Sequence, residues 1–168
     1  MSYKTNKYQV IRGVISEELA DVCLRYLAIS HNADAYLINK NITNENNVLI
    51  GNFKDAQVPN SYAKYGDRLM ESLLIQTIPL MEKETGLKLI PTYSYCRLYK
   101  KGNVLKRHKD RPSCEISTTL NLGGDEWSIY LSSSSKDNIS NSPKEIKIDL
   151  KKGDMLIYSG CELEHWRE

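Results

Sequence analysis

The chain is poor in the residues that mark most metal and disulfide scaffolds. Its four cysteines, at positions 23, 96, 114 and 161, include no Cys-x-x-Cys pair. That excludes the usual zinc-ribbon and thioredoxin patterns and suits reduced thiols in a cytoplasmic setting. No apolar run approaches the ~20 residues needed to cross a bilayer, so no membrane association is expected, and the N-terminal residues lack the apolar centre of a signal peptide. Neither sign of charge dominates. Lys and Arg number 23 against 21 Asp and Glu, a net charge of +2, which argues against a globally basic nucleic-acid binder. There is one Phe and there are only three His, so the places where the histidines fall carry weight.

What is present describes a single ordinary domain. The 168 residues are 40% hydrophobic and 26% charged, enough to bury one core and too short for two sizeable ones. Eleven tyrosines either pack at the edge of that core or line a polar pocket with hydroxyls.

The front half reads as helical. Ser16 is placed to cap a helix that carries Glu17 and Glu18 in its first turn, where the helix dipole favours them. Leu19, Val22, Cys23, Tyr26 and Leu27 then recur at helical spacing. Residues 31–59 are rich in Asn and read as irregular, with a short strand near residues 48–50. A second helix is expected over residues 61–85, with Tyr62, Tyr65, Leu69, Leu73 and Leu74 on one face, a kink at Pro79 and a stop at Gly86.

After Gly86 the period falls to two. Tyr93, Tyr95, Arg97 and Tyr99 alternate with Thr92, Ser94, Cys96 and Leu98, a strand signature. Further strands are expected over residues 104–108, 115–122, 127–131, 144–150 and 155–158, with residues 132–143 as a mobile polar loop. The chain is therefore predicted to be α+β, with N-terminal helices over residues 1–87 packed on a β-sandwich or jelly roll over residues 88–168.

The chemistry gathers around the histidines. His108 and Asp110 are two residues apart, so on a strand they share a face while Lys109 points away. His165 follows Asp110 by 55 residues, after a Gly-Asp turn and strand. Two His and one carboxylate make the facial triad of non-haem Fe(II) oxygenases, which leaves coordination positions open. Taken alone, the His-x-Asp tripeptide is equally a surface polar pair ahead of a turn; its place after a Tyr-rich strand favours the site. His31 has no such partner and reads as a loop or surface residue.

In this order, Tyr93 through Tyr99, Gly102, His108 and Asp110, Thr118 through Asn121, Gly153 through Tyr158 and His165 resemble the 2-oxoglutarate/Fe(II)-dependent dioxygenases. The branch they look most like is that of the prolyl 4-hydroxylase-like enzymes. The resemblance covers residues 88–168 and implies a double-stranded β-helix core. It implies Fe(II) on His108, Asp110 and His165, and 2-oxoglutarate contacts from Tyr99 and Thr119, with ascorbate as a further cofactor. For Tyr99 the other reading is a packing residue, and for Thr119 a β-branched strand filler. The implied reaction couples oxidative decarboxylation of 2-oxoglutarate, to succinate and carbon dioxide, with hydroxylation of a substrate. Asp110, in place of Gly or Ala, argues against the related halogenases.

The chain departs from the family at its end. Members carry an Arg or Lys on a further strand beyond the distal His, where it pairs with the far carboxylate of 2-oxoglutarate. Here Glu168 stands three residues after His165, and Arg167 is too close to match. The expectation is a jelly roll without its final strand, with the chain a fragment of a longer one; a substitute cation and impaired co-substrate binding are the other accounts. Lys100, Lys101, Lys106, Arg107, Lys109 and Arg111 surround the motif, either as solvated edges or as a rim for an acidic peptide or a phosphate backbone. Trp127 reads as core, and Trp166 as a ring available to stack on a substrate.

The leading function is hydroxylation of a peptidyl residue, proline foremost, in a peptide or protein substrate. Oxidative demethylation of a nucleic-acid base and a non-catalytic jelly-roll binding module are the alternatives.

Overall fold

A computed structural model describes residues 2–136 and 143–168. The chain runs through α1 (Tyr3–Asn6), β1 (Tyr8–Ile11), α2 (Glu17–Asn39), β2 (Tyr62–Tyr65) and α3 (Arg68–Thr85). It continues through β3 (Tyr95–Leu98), β4 (Leu105–His108), a 3-10 turn (Pro112–Cys114), β5 (Ile116–Leu120) and β6 (Ile129–Lys136). Last come β7 (Pro143–Ile148), β8 (Met155–Ser159) and β9 (His165–Arg167).

The apolar run of β8 leaves neither face fit for water, and the fold buries both. β8 lies between β1 and β5, antiparallel to each. Because alternate side chains point to opposite faces, Leu156 and Tyr158 meet Ile129, Leu131 and Ile148 of a second sheet, ordered β4-β9-β6-β7, together with Leu163 of the turn before β9. Met155 and Ile157 point the other way, against Tyr3 of α1 and Met81 of α3. A third cluster joins Ala20, Cys23 and Leu27 of α2 to Met70, Leu73 and Cys96. The result is a helix-backed, jelly-roll-like sandwich of antiparallel sheets. The described strands form three separate sheets, the third being the β2-β3 pair.

Local chemistry explains the elements. Ser16 Oγ accepts the Leu19 N–H at 3.2 Å, closing the start of α2. Val22, expected to face the core, is 57% exposed; the buried stripe follows Ala20, Cys23 and Leu27, and Val22 falls outside it. α2 also runs on through residues expected to be irregular. There His31 packs on Phe53 and Tyr62, with ring centroids 5.4 and 5.1 Å away, so it is a helical packing residue rather than a loop residue. Residues 48–50 form a turn instead of a strand, with Val48 and Leu49 exposed.

The second helix begins later than its stripe suggests. Tyr62–Tyr65 pairs with Tyr95–Leu98 as strand, and Asp67 caps α3 by accepting from Leu69 N at 3.0 Å. Pro79 lies inside an uninterrupted α3, which ends at Gly86 in the left-handed conformation. Residues 132–136 and 143 belong to β6 and β7 rather than to a loop; the rest of that expected loop, 137–142, lies outside the described residues. His165–Arg167 is itself a strand, seated between β4 and β6.

The turn before β8 fastens the two ends of the chain together. Gly153 has φ +81, and a Cβ there would lie 2.4 Å from Ile15 O, so backbone and space both demand glycine. Asp154 accepts from Arg12 Nη1 at 2.5 Å, Gly13 N at 3.0 Å and Lys151 N at 2.8 Å. Among the described residues no helix is long and apolar enough to cross a membrane.

Leu156→Ala, at a fully buried position of the central strand, is expected to cost about 2–5 kcal/mol of stability. Val48→Ala should change it by less than ~0.5 kcal/mol; urea unfolding of the two variants measures the contrast, and equal costs would contradict this core. Asp154 supplies a pH test. Burial alone would raise its carboxyl, but the hydrogen bonds from Arg12 and the two backbone N–H groups outweigh that and hold it below the ordinary value. A depressed folded-state carboxyl adds stability that is complete above its unfolded pKa of about 3.9 and is lost as pH falls through the folded value. Asp154→Asn should therefore be less stable than wild type at pH 7, and the gap should shrink below pH ~4.

Candidate metal centre

The two key histidines face each other across a strand pair. In the antiparallel β4–β9 register His108 stands opposite His165, with ring centroids 4.1 Å apart. Both rings are oriented by backbone carbonyls. His108 Nδ1 lies 2.8 Å from Lys106 O, and His165 Nδ1 lies 3.3 Å from Leu163 O. A carbonyl can only accept, so each Nδ1 carries the proton and each Nε2 keeps a free lone pair.

Asp110, two residues past the end of β4, completes the cluster and is hydrogen-bonded to the other sheet. Its N–H donates to Gly160 O at 2.9 Å, just past β8, and its Oδ2 accepts from Ser117 Oγ of β5 at 2.6 Å. That leaves Oδ1 toward the imidazoles, 3.5 Å from His165 Nε2 and 3.9 Å from His108 Nε2. One ligand atom from each of His108, Asp110 and His165 lies within 4.8 Å of the others, a grouping that could hold a metal ion.

The protonation states suit that use. Burial would raise Asp110, but His165 and Ser117 outweigh it and hold the carboxyl below its ordinary value. Burial, aided by His165, holds His108 below the usual imidazole value, so it is neutral at pH 7. Gly160 is the enabling residue: a Cβ there would come within 2.5 Å of Asp110 Oδ2 and 2.6 Å of Ser117 Oγ.

All five candidate residues line one open cavity of about 1680 Å³. Thr119 stands opposite Leu156 in the β5–β8 register and so faces inward, beside Tyr158. Tyr158 packs on His165 at 4.8 Å between ring centroids, and burial, with the Asp110 carboxylate, keeps its hydroxyl protonated. Tyr99 meets Trp127 edge-on at 4.9 Å and accepts from Arg97 Nη1 at 3.2 Å. Trp127 is thus half-buried on the cavity wall rather than in the core. Trp166, expected to be available to a substrate, is buried, stacked on Tyr130 and covered by Arg107.

Sequence reasoning missed Ser117, Gly160 and Arg97. An arginine in the middle of an alternating tyrosine face was the available signal for Arg97. Nothing local distinguishes Gly160, whose role depends on contacts made across the fold. The basic rim is partly self-neutralised, since Arg107 pairs with Glu145 and Glu164 and Arg111 lies over Tyr93.

No protein-family model and no curated protein matches the chain. Among solved structures, the crystal structure of a Pseudomonas putida prolyl-4-hydroxylase aligns with a TM-score of 0.65. The two share a fold. The alignment covers 98% of this chain and 86% of that one at 13% sequence identity.

Gly160→Ala should displace Asp110 by direct contact while leaving all three ligand residues in place in the sequence. Metal affinity, read by Mn(II) titration, is expected to fall by about 10–100-fold, the range for lost support around a ligand, with the secondary-structure spectrum unchanged. Wild-type affinity in this variant would show that the Gly160 contact does not hold the carboxylate.

Proposed function

We propose that this chain is an Fe(II)- and 2-oxoglutarate-dependent oxygenase that hydroxylates a peptidyl residue, proline foremost. The observation that carries this reading is the convergence of two lone-pair-bearing Nε2 atoms and one carboxylate oxygen within 4.8 Å, on a fold shared with a prolyl-4-hydroxylase. A set of two imidazoles and one carboxylate with open positions fits Fe(II).

Bound Fe(II) and 2-oxoglutarate supply oxidative decarboxylation coupled to insertion of one oxygen atom into a substrate C–H bond. The chain's own residues do the rest. His108, Asp110 and His165 hold the metal. Lys106 O and Leu163 O fix the imidazole tautomers, and Ser117 with Gly160 aims the carboxylate. Tyr99 and Thr119 offer hydroxyls to the co-substrate, while Tyr158 closes the wall behind His165 and excludes water from it.

The cavity is larger than the roughly 300–1,000 Å³ typical of a small-ligand pocket. That volume suffices for a co-substrate together with a peptide segment. Exposed tyrosines supply a face for that segment: Tyr65 and Tyr95 are 62% and 44% exposed, and Tyr65 stacks on Tyr93.

Anaerobic addition of Fe(II) and 2-oxoglutarate should give the weak visible charge-transfer band of the chelate, and air should then yield succinate. Asp110→Ala should lower metal affinity by more than the ~10–100-fold expected for a supporting residue and remove the band. Absence of the band in wild type would overturn the reading. Stimulation of succinate release by proline-containing peptides, and not by oligonucleotides, would assign the substrate class.

A further inference from the structure

The outer face of α2 is apolar where a surface helix is normally polar. Val22, Ile29 and Tyr36 are 57%, 68% and 58% exposed, and they recur every seven residues. Arg25 and Asn32 stand between them, also exposed. The steps along this line alternate three and four, the 3.5-residue period of a seam between two helices. The seam is separate from the stripe of Ala20, Cys23 and Leu27 that packs in the core. It is separate from the metal site as well, since Leu24 and Leu27 line that cavity from the opposite side of the helix.

The same line is acidic where it starts and basic where it ends. At 3.6 residues per turn, Glu18, Val22, Ile29, Tyr36 and Lys40 fall within about 40° of one another around the helix. Glu18 and Lys40 are both exposed. Lys40 closes α2, its N–H donating to Tyr36 O at 3.0 Å, and its ammonium lies 5.9 Å from the Tyr36 ring.

That charge distribution fits a second copy of the same helix, in one direction only. A parallel pair would set Glu18 on Glu18, Arg25 on Arg25 and Lys40 on Lys40. An antiparallel pair with its two-fold axis at Ile29 sets Glu18 against Lys40, each eleven positions from the axis, and Val22 against Tyr36, each seven positions away. Ile29 then meets its own copy, and Arg25 faces Ala33, whose small side chain leaves room for the guanidinium. The helix dipoles oppose, and a two-fold contact of this kind closes on itself instead of propagating. We propose that α2 is a homodimer interface, in which two copies of the chain pack their α2 helices antiparallel about Ile29 with a Glu18–Lys40 ion pair at each end.

Sedimentation equilibrium of the full chain tests this. One helix pair, about 35 Å long, lies at the small end of protein interfaces, so wild type should dimerise reversibly with a Kd on the order of 1–100 μM. Ile29→Asp, at an exposed position on the axis, should raise that Kd by about 10–100-fold, as for a residue at an interface centre, with Mn(II) affinity and the secondary-structure spectrum unchanged. Glu18→Lys and Lys40→Glu should each weaken the dimer about 5-fold, because the axis repeats the pair, and the double variant should recover most of the loss. A wild type that stays monomeric through 300 μM (~3 times the upper Kd), or a dimer untouched by Ile29→Asp, would overturn the proposal. Charge reversals whose losses add in the double variant would equally overturn it, since they would show that Glu18 and Lys40 do not meet.

Discussion

The site depends on the burial of both faces of β8. A strand with no polar residue among its first four positions must be covered twice. Here Leu156 and Tyr158 dock the second sheet, while Met155 and Ile157 dock the helices. That double contact fixes where the strand ends, and its end is where Gly160 receives the Asp110 N–H. The carboxylate is therefore referenced to β5 and β8 in one sheet, whereas both imidazoles are referenced to β4 and β9 in the other. The cluster measures the gap between two sheets. A repacking error of an ångström in the sandwich would be transmitted directly to the separation of Asp110 from the histidines.

This arrangement also sets the charge states of three closely spaced groups. Two imidazoles whose rings are 4.1 Å apart cannot both be protonated cheaply. Burial and the neighbouring imidazole hold His108 below its usual value, and against burial the nearby His165 and the Ser117 hydroxyl hold Asp110 below its ordinary carboxylate value. The set is thereby poised with lone pairs turned inward, the condition a hard divalent cation requires. Fold resemblance adds nothing to that chemistry; it only shows that a chain 13% identical to a prolyl-4-hydroxylase reaches the same architecture.

Much of this was legible in the residues. The period-2 alternation located β3, the Lys152-Gly153-Asp154 turn located β8 and the Ser16 cap located α2, whereas His108 and Asp110 come together without sharing a strand face, since β4 ends at His108. The errors share a cause, since local pattern carries no information about distant partners. Tyr62 and Tyr65 continue the stripe of Leu69 and Leu73, and only pairing with Tyr95–Leu98 makes them strand. The helical stretch at residues 31–39 was hidden by its Asn content, and its Asp34 is stabilised by Gly51 N and Tyr62 Oη, contacts supplied from outside the helix. Gly160 and Ser117 act through groups brought from three separate segments.

The segment between α2 and β2 is the least regular part of the chain, and it is tied down at two points that matter. Asp34 anchors it to α2, and Asp55 anchors it to the cavity through Tyr95 Oη at 2.5 Å and Arg97 Nη2 at 2.5 Å. Burial opposes the Asp55 charge, and those two partners outweigh it. An ion pair this deep contributes little net stability, because desolvation offsets the attraction. What it does supply is position. It holds the Arg97 guanidinium with its two terminal nitrogens engaged, and it neutralises one of the two cations there. The irregular segment is therefore part of the site's electrostatics: without Asp55 the pocket beside Tyr99 would carry two positive charges instead of one.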